Sequence, residues 1–175
     1  RLATAGNDKL IKLWELVSQN EIARYEGHVG AVTGLAFNTN ATELFSVGAD
    51  KQIKLWDVKS RESVVSIAGR KHGLTPAGWS ADGKTVVVAD DDGRAYTFKE
   101  FQRHTGAQSS ETAQEKQLGR WEEALHAVAI NTNGTRIIVG GQDGVVRVMD
   151  QDGKVEASLA PGTSVPITVQ LEVTD

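Results

Sequence analysis

The chain has 175 residues, of which 39% are hydrophobic and 24% charged, and its formal net charge is −4. A chain without a basic excess matches the phosphate backbone of a nucleic acid poorly, so we expect no nucleic-acid partner. It has no cysteine and no apolar stretch near the roughly 20 residues of a membrane span, which argues against disulfides, thiolate zinc sites, a cysteine nucleophile and a membrane span within these residues.

One segment repeats along the chain at intervals of 42 residues. Residues 5–15 match residues 47–57 almost one for one, and both contain the letters Gly-x-Asp-Lys-x-Ile-Lys-Leu-Trp. Residues 89–98 form a third, more divergent copy at the same interval, and residues 140–150 form a fourth after nine additional residues. A repeat of this length indicates an array of similar supersecondary units.

Each repeat contains short runs of apolar and β-branched residues, separated by turns with Asp-Gly, Asn-Gly or related pairs. Such turns favour tight antiparallel hairpins. Four strands per period of about 42 residues predict an all-β propeller with about four four-stranded blades visible. We expect strands near residues 2–5, 10–15, 21–26, 32–37, 43–47, 52–57, 62–68, 74–79, 85–89, 94–98, 112–118, 125–130, 136–140, 145–149, 154–159 and 165–173.

The repeats also divide the chain into units. The last predicted strand, near residues 165–173, is a spare strand that completes either a further blade or the opening blade. The region of roughly 99–120 that interrupts the repeat is interpreted as a solvated hairpin loop, with a contact loop as the alternative. The predicted units are an opening blade without its first strand (1–26), a second blade (27–68), a third blade (69–120) with an inserted loop at about 99–111, a fourth blade (121–160), and a linker with the spare strand (161–175).

Two dipeptides frame the second repeat: Gly27-His28 opens it and Trp56-Asp57 closes it, while Trp14-Glu15 is a near match. From Leu2 to about Leu159 the chain resembles the WD-repeat family of β-propellers. The resemblance implies a ring of seven or eight blades, so we expect this chain to be part of a longer protein. Joining of two copies, or closure of the opening blade by the last strand, are the alternatives. The chain also looks similar to bacterial multidomain WD-repeat proteins, some of which carry cytochrome-type or kinase-type modules.

The resemblance further implies a buried hydrogen-bond relay in each blade. It links a His before the first strand, a Ser or Thr on the second strand, an Asp in the following turn and a Trp on the third strand. Where members are missing, we expect turn amides to bind the remaining aspartate. The implied members are His28, Ser46, Asp50 and Trp56 in the second blade, Thr4, Asp8 and Trp14 in the opening blade, His72 and Asp92 in the third, and Asp143 in the fourth.

The sequence contains no convincing catalytic or metal site. His28, Ser46 and Asp50 could be read as a hydrolase triad, but they repeat as framework and no nucleophile-elbow sequence accompanies them. The acidic turns at 90–93 and 150–153 lack the distal Glu of a calcium loop, so we interpret them as hairpin turns. We therefore predict no enzymatic activity, no metal and no cofactor.

The residue before each turn aspartate is predicted to lie on one rim of the propeller, where it can contact a partner: Asn7, Ala49, Asp91 and Gln142. The predicted function is a non-catalytic scaffold for protein–protein interaction, with proteins or peptides as partners and self-association if the ring is incomplete. The alternative is a docking or sensing module of a larger, possibly enzyme-containing protein. The sequence indicates neither the partner nor the compartment.

Overall fold

The computed structural model describes residues 1–68, 71–81, 83–99, 101 and 113–160, without the side chains of 75–77. Throughout these residues the protein consists of antiparallel β-strands joined by turns and loops. The predicted all-β class is confirmed. Among the described residues, no helix is long and apolar enough to span a membrane. The strands are β1 (Leu2–Ala5), β2 (Ile11–Glu15), β3 (Asn20–Tyr25), β4 (Val32–Phe37), β5 (Glu43–Gly48), β6 (Ile53–Asp57), β7 (Ser63–Ile67), β8 (Leu74–Trp79), β9 (Thr85–Asp90), β10 (Arg94–Lys99), β11 (Gln114–Arg120), β12 (Leu125–Ile130), β13 (Arg136–Gly141), β14 (Val146–Asp150) and β15 (Val155–Leu159).

The strands form four separate sheets, and within each sheet every strand pairs with its neighbours in sequence. We name them sheet A (β1–β3), sheet B (β4–β7), sheet C (β8–β11) and sheet D (β12–β15). The innermost strands β4, β8 and β12 lie beside one another, so the sheets follow each other as propeller blades do. The predicted strand near 165–173 and most of the inserted loop at 99–111 fall outside the described residues, and the blade boundaries stay a prediction.

The core consists of three apolar layers, one between each pair of consecutive sheets. Successive residues of a strand point to opposite faces of its sheet, so Leu44 packs toward sheet A while Phe45 packs toward sheet C, and each is 0% exposed. All six residues of β5 and of β9 are buried. This two-sided burial explains why these strands carry apolar residues on both faces instead of alternating apolar and polar residues.

The turns that lead into β2, β6, β10 and β14 share one backbone conformation. Lys9, Lys51, Gly93 and Gly144 occupy the same place in the four turns, with φ of 65°, 64°, 75° and 71°. At Gly93 the loop before sheet D approaches so closely that a Cβ would lie 2.2 Å from the Trp121 carbonyl oxygen. The Trp121 amide donates a hydrogen bond to the Gly93 carbonyl at 2.8 Å. Gly93 therefore fixes the junction between sheets C and D.

We predict that Gly93→Ala destabilises the protein much more than Gly134→Ala does. Gly134 has nearly the same φ of 72°, but a Cβ there would make only an ordinary contact of 3.5 Å with Ser80. Both substitutions incur the left-handed penalty of about 1 kcal/mol, whereas Gly93→Ala also forces two backbone carbonyls apart. Urea unfolding should show an additional loss of at least about 2 kcal/mol for Gly93→Ala; similar midpoints for the two variants would contradict the close packing at Gly93.

Candidate functional site

The turns that carry the repeat aspartates and the loops that connect consecutive sheets lie at the same end of the strands. We call this surface the aspartate-turn rim; it comprises residues 6–10, 26–31, 48–52, 71–73, 90–93, 121–124 and 141–145. The same backbone hydrogen bond recurs at three sheet junctions, from the residue before the turn aspartate to the connecting loop. These bonds run from Ala49 to Ala31 (2.8 Å), from Asp91 to Gly73 (3.1 Å) and from Gln142 to Ala124 (2.9 Å).

Sheet B contains a continuous relay of buried polar side chains. The Trp56 indole N–H donates to Ser46 Oγ at 2.8 Å, and Ser46 Oγ lies 2.7 Å from His28 Nε2. His28 Nδ1 lies 2.8 Å from Asp50 Oδ2. The side chains of His28 and Asp50 are 0% and 1% exposed. The structure thus brings together the four residues that the sequence proposed for this blade.

The protonation states of the relay follow from burial and hydrogen bonding. Burial lowers the pKa of His28, which favours the neutral imidazole. Burial alone would raise the pKa of Asp50, but hydrogen bonds from His28 and from the Val29 amide outweigh it and leave the pKa lowered. A neutral His28 donates from Nδ1 to Asp50 and accepts the Ser46 hydroxyl proton at Nε2, while Ser46 accepts from Trp56. Ser46 is 0% exposed, so a substrate could not reach its hydroxyl.

Sheet A contains only part of such a relay. The Trp14 indole N–H donates to Thr4 Oγ1 at 2.8 Å, as Trp56 does to Ser46. Asp8 does not join this pair, contrary to the expectation. It accepts from the Leu10 amide at 3.3 Å and pairs with Lys12 at 3.2 Å, and these two partners lower its pKa. No histidine among the described residues bridges Asp8 to Thr4.

Sheet C does not form the relay expected from His72 and Asp92. His72 Nε2 lies 3.7 Å from Asp92 Oδ2 and His72 Nδ1 lies 3.5 Å from Asp91 Oδ1, which are too long for hydrogen bonds, and the His72 side chain is 34% exposed. Asp92 instead pairs with the guanidinium groups of Arg94 at 2.7 Å and Arg120 at 3.2 Å. The expectation that turn amides bind this aspartate is therefore wrong.

Asp90 fills in sheet C the space that the relay occupies in sheet B. It is buried and accepts hydrogen bonds from the Arg94 amide at 2.8 Å, the Asp92 amide at 3.1 Å and the Tyr96 hydroxyl at 3.3 Å. Its counterpart in sheet B is Gly48, where a Cβ would lie 3.0 Å from His28 Nδ1 and 2.7 Å from Asp50 Oδ1. A side chain at this position thus fills the space that the relay needs. An aspartate in place of the repeat glycine was the sequence signal for this difference.

Sheet D replaces the His–Asp pair with an arginine and a tryptophan. Asp143 accepts from the Val145 amide at 3.0 Å, as expected for a turn, and also binds the Arg147 guanidinium, which is the main reason for its lowered pKa. Arg147 lies over the Trp121 ring, 5.5 Å from its centroid. The ring also packs on the apolar layer between sheets C and D and lies close to Gly119, where a Cβ would lie 2.7 Å from it. Sequence reasoning missed Arg147, because the relay that the family resemblance implies includes no residue at its position.

The four residues proposed for partner contact occupy equivalent, exposed positions on the aspartate-turn rim: Asn7, Ala49, Asp91 and Gln142. Their side chains differ, while the backbones of Ala49, Asp91 and Gln142 are held by the same hydrogen bond. Next to Gln142, an open cleft of about 840 Å³ is lined by residues 120–123, Asp143 and Arg147. Within the described ranges, no group of three or more His, Asp or Glu side chains is placed to hold a metal ion.

The family model described as WD domain, G-beta repeat matches residues 19–57 and 115–150. The chain therefore contains WD repeats. The first match contains the sheet B relay. The unmatched residues between the two matches include the strands β8, β9 and β10 and, in β9, Asp90. The chain is also 38% identical over 39 residues to pre-mRNA-processing factor 19 of Oryza sativa subsp. japonica, an alignment that covers 22% of this WD-repeat chain and 7% of that protein. Neither match supports the predicted likeness to bacterial proteins.

We predict that the buried neutral His28 makes stability pH-dependent. Its pKa in the folded state lies below the ordinary value of 6.5, so the unfolded chain takes up a proton first as the pH falls. The stabilisation is complete above about pH 6.5 and declines below it, by at most about 1.4 kcal/mol per pH unit. His28→Gln should remove this slope in urea unfolding at about pH 7.5, 6.5 and 5.5. His126→Gln, on an exposed position of β12, is the control; a slope that survives His28→Gln would assign the effect elsewhere.

We also predict unequal losses for two turn aspartates. Asp50→Ala leaves the buried His28 Nδ1–H and the Val29 amide without their acceptor, which should cost about 2–4 kcal/mol. Asp143→Ala should cost about 1 kcal/mol, since the Asp143 side chain is 24% exposed and Arg147 keeps its contact with Trp121. Thermal unfolding of both variants measures the difference, and equal losses would show that the buried relay gives sheet B no special stability.

Proposed function

We propose that this chain is a non-catalytic scaffold that binds other proteins or peptides through its aspartate-turn rim. WD repeats generally mediate protein–protein interaction. The observation that carries the assignment to this rim is the recurring backbone hydrogen bond from Ala49, Asp91 and Gln142 to the connecting loops. It holds exposed and chemically different side chains on a fixed frame. A frame that is ordered before binding loses little conformational entropy in the complex, which favours recognition by such a surface.

The sector between sheets C and D supports this proposal most strongly. Trp121 and Arg147 line the cleft beside Gln142, and tryptophan and arginine are the residue types that most often dominate binding energy at protein interfaces. Both are held in place, Arg147 by Asp143 and Trp121 by the Arg147 guanidinium. Asp91 borders the same sector and is exposed. We therefore place the principal contact on the sector from Asp91 to Gln142.

A second candidate function is a docking or sensing module within a larger multidomain protein. The observation that favours it is the match to pre-mRNA-processing factor 19, of which the aligned residues make up only 7%. The segment of that protein that is similar to this chain is a small part of the whole. The rim would then bind the target while other parts of the polypeptide act on it, and the same surface residues would be used.

Site-specific photo-crosslinking tests the proposed contact surface. A photoreactive residue at Gln142 or Ala49 should capture defined protein partners in extracts of the source organism. The same residue at Lys59, which is exposed at the opposite end of the strands in the turn after β6, is the matched control and should capture none of them. Trp121→Ala should lower the yield at Gln142 at least about tenfold. Equal capture from Lys59 would place the contact off the rim.

A further inference from the structure

The rim sector between sheets C and D binds guanidinium groups of its own chain. Arg147 lies over the Trp121 ring and is held by Asp143. Arg120 pairs with Asp92 at 3.2 Å. Arg120 and Arg147 are the two arginines that line the rim cleft of about 840 Å³. Both already have a carboxylate partner within the chain, so neither brings an unbalanced positive charge to the cleft.

Two further carboxylates line the same cleft without such a partner. Glu122 and Glu123 lie on the loop that leads into sheet D, and both are exposed. Among the described residues, neither forms an ion pair with a lysine or an arginine. Asp91, on the neighbouring turn, is 58% exposed and lies 3.5 Å from His72, which is too far for a hydrogen bond. The unpaired charge of this sector is therefore negative.

The backbone that carries these glutamates is held on both sides. A Cβ at Gly93 would lie 2.6 Å from the Glu123 carbonyl oxygen, so the loop packs directly on the turn of sheet C. On the other side, the Gln142 amide donates a hydrogen bond to the Ala124 carbonyl oxygen at 2.9 Å. The carboxylates therefore extend from a fixed loop, and a partner that binds them does not have to order the backbone first.

The acidic character is particular to this junction. The equivalent loop into sheet B has Val29 and Gly30 in the places of Glu122 and Glu123, since Ala31 accepts the same backbone hydrogen bond there as Ala124 does in the loop into sheet D. Val29 is 69% exposed and uncharged. Two exposed carboxylates in place of a valine and a glycine change the surface from apolar to acidic, while the loop keeps its backbone hydrogen bond.

We propose that this sector binds a basic segment of a partner protein, with an arginine side chain of the partner between Glu122, Glu123 and Trp121. The inference rests on the proposed rim contact and names the chemistry of its partner. A carboxylate and a guanidinium form short, charge-assisted hydrogen bonds, often two in parallel. The aliphatic stem of an arginine packs on apolar surface, which Trp121 offers in this cleft. An acidic partner would instead meet three exposed carboxylates and two arginines that are already paired.

Binding of short arginine-containing peptides to the full chain tests this chemistry. Labelled peptides in which alanine alternates with arginine, glutamine or glutamate differ mainly in charge, and fluorescence anisotropy measures the Kd of each. The arginine peptide should bind most tightly, and its Kd should rise when the salt concentration is raised from about 50 mM to about 200 mM. Among the four tryptophans, Trp121 should show the largest shift of its indole N–H resonance, which Trp121→Phe assigns.

Charge reversal locates the site within the chain. Glu122→Lys/Glu123→Lys should raise the Kd of the arginine peptide at least about tenfold, because two attractive charges become repulsive. Glu26→Lys/Glu62→Lys changes the net charge equally at two exposed positions outside the cleft, so it is the matched control. It should change the Kd by less than about threefold. Circular dichroism of both variants establishes that they are folded.

Equal weakening by the two double variants would overturn the proposal, because it would show a general attraction to a chain of net charge −4. So would an arginine peptide that does not bind, or a glutamate peptide that binds more tightly. A photo-crosslinking yield at Gln142 that Glu122→Lys/Glu123→Lys leaves unchanged would overturn the basic partner but leave the rim contact in place. If Gln142 captures nothing while the arginine peptide binds at Trp121, the proposed scaffold function fails and the preference of the cleft for arginine stands.

Discussion

The structure depends on covering both faces of its inner sheets. Leu44 and Phe45 are neighbours in β5, point to different sheets, and are each completely buried. A sheet with apolar side chains on both faces is stable only between two others, because its exposed faces would otherwise leave large apolar areas in water. Sheets B and C meet this requirement inside the chain. The relay, the turns and the rim are arranged on a stack that this burial holds together.

The three sheet junctions keep one backbone arrangement with three different sets of side chains. Sheet B uses the neutral His28 and Asp50, sheet C uses Asp90 in the space of a glycine, and sheet D uses Trp121 with Arg147 and Asp143. The backbone hydrogen bond to the connecting loop is present in all three. The geometry of the rim is therefore independent of any one relay. Its recognition properties can differ from blade to blade without loss of the frame.

The sequence predicts the described strands well, because they depend on local patterns, and the family resemblance implied the sheet B relay. Alternating apolar residues, aspartate turns and a constant interval place each described strand within about two residues. The 42-residue interval does not show which of Asp90, Asp91 and Asp92 is buried. That depends on the space beside the glycine that the other repeats have at the position of Asp90. The interval also could not find the contact between Trp121 and Arg147, which lie on a connecting loop and on β14 and meet only when sheets C and D pack. The contacts of residues that follow the repeat can be predicted from the sequence. The contacts of residues that depart from it become clear only when the packing of the sheets is known.

The lysine and aspartate of the repeat have different partners in sheets A and B. Lys12 of β2 pairs with Asp8, directly after the rim residue Asn7. Its counterpart Lys54 is buried and binds Ser66, while Asp50 in the corresponding turn is bound by histidine and amides instead. The same two residue types therefore form an exposed ion pair in one sheet and separate hydrogen bonds in the other, so the partner of each depends on its surroundings as well as on its place in the repeat.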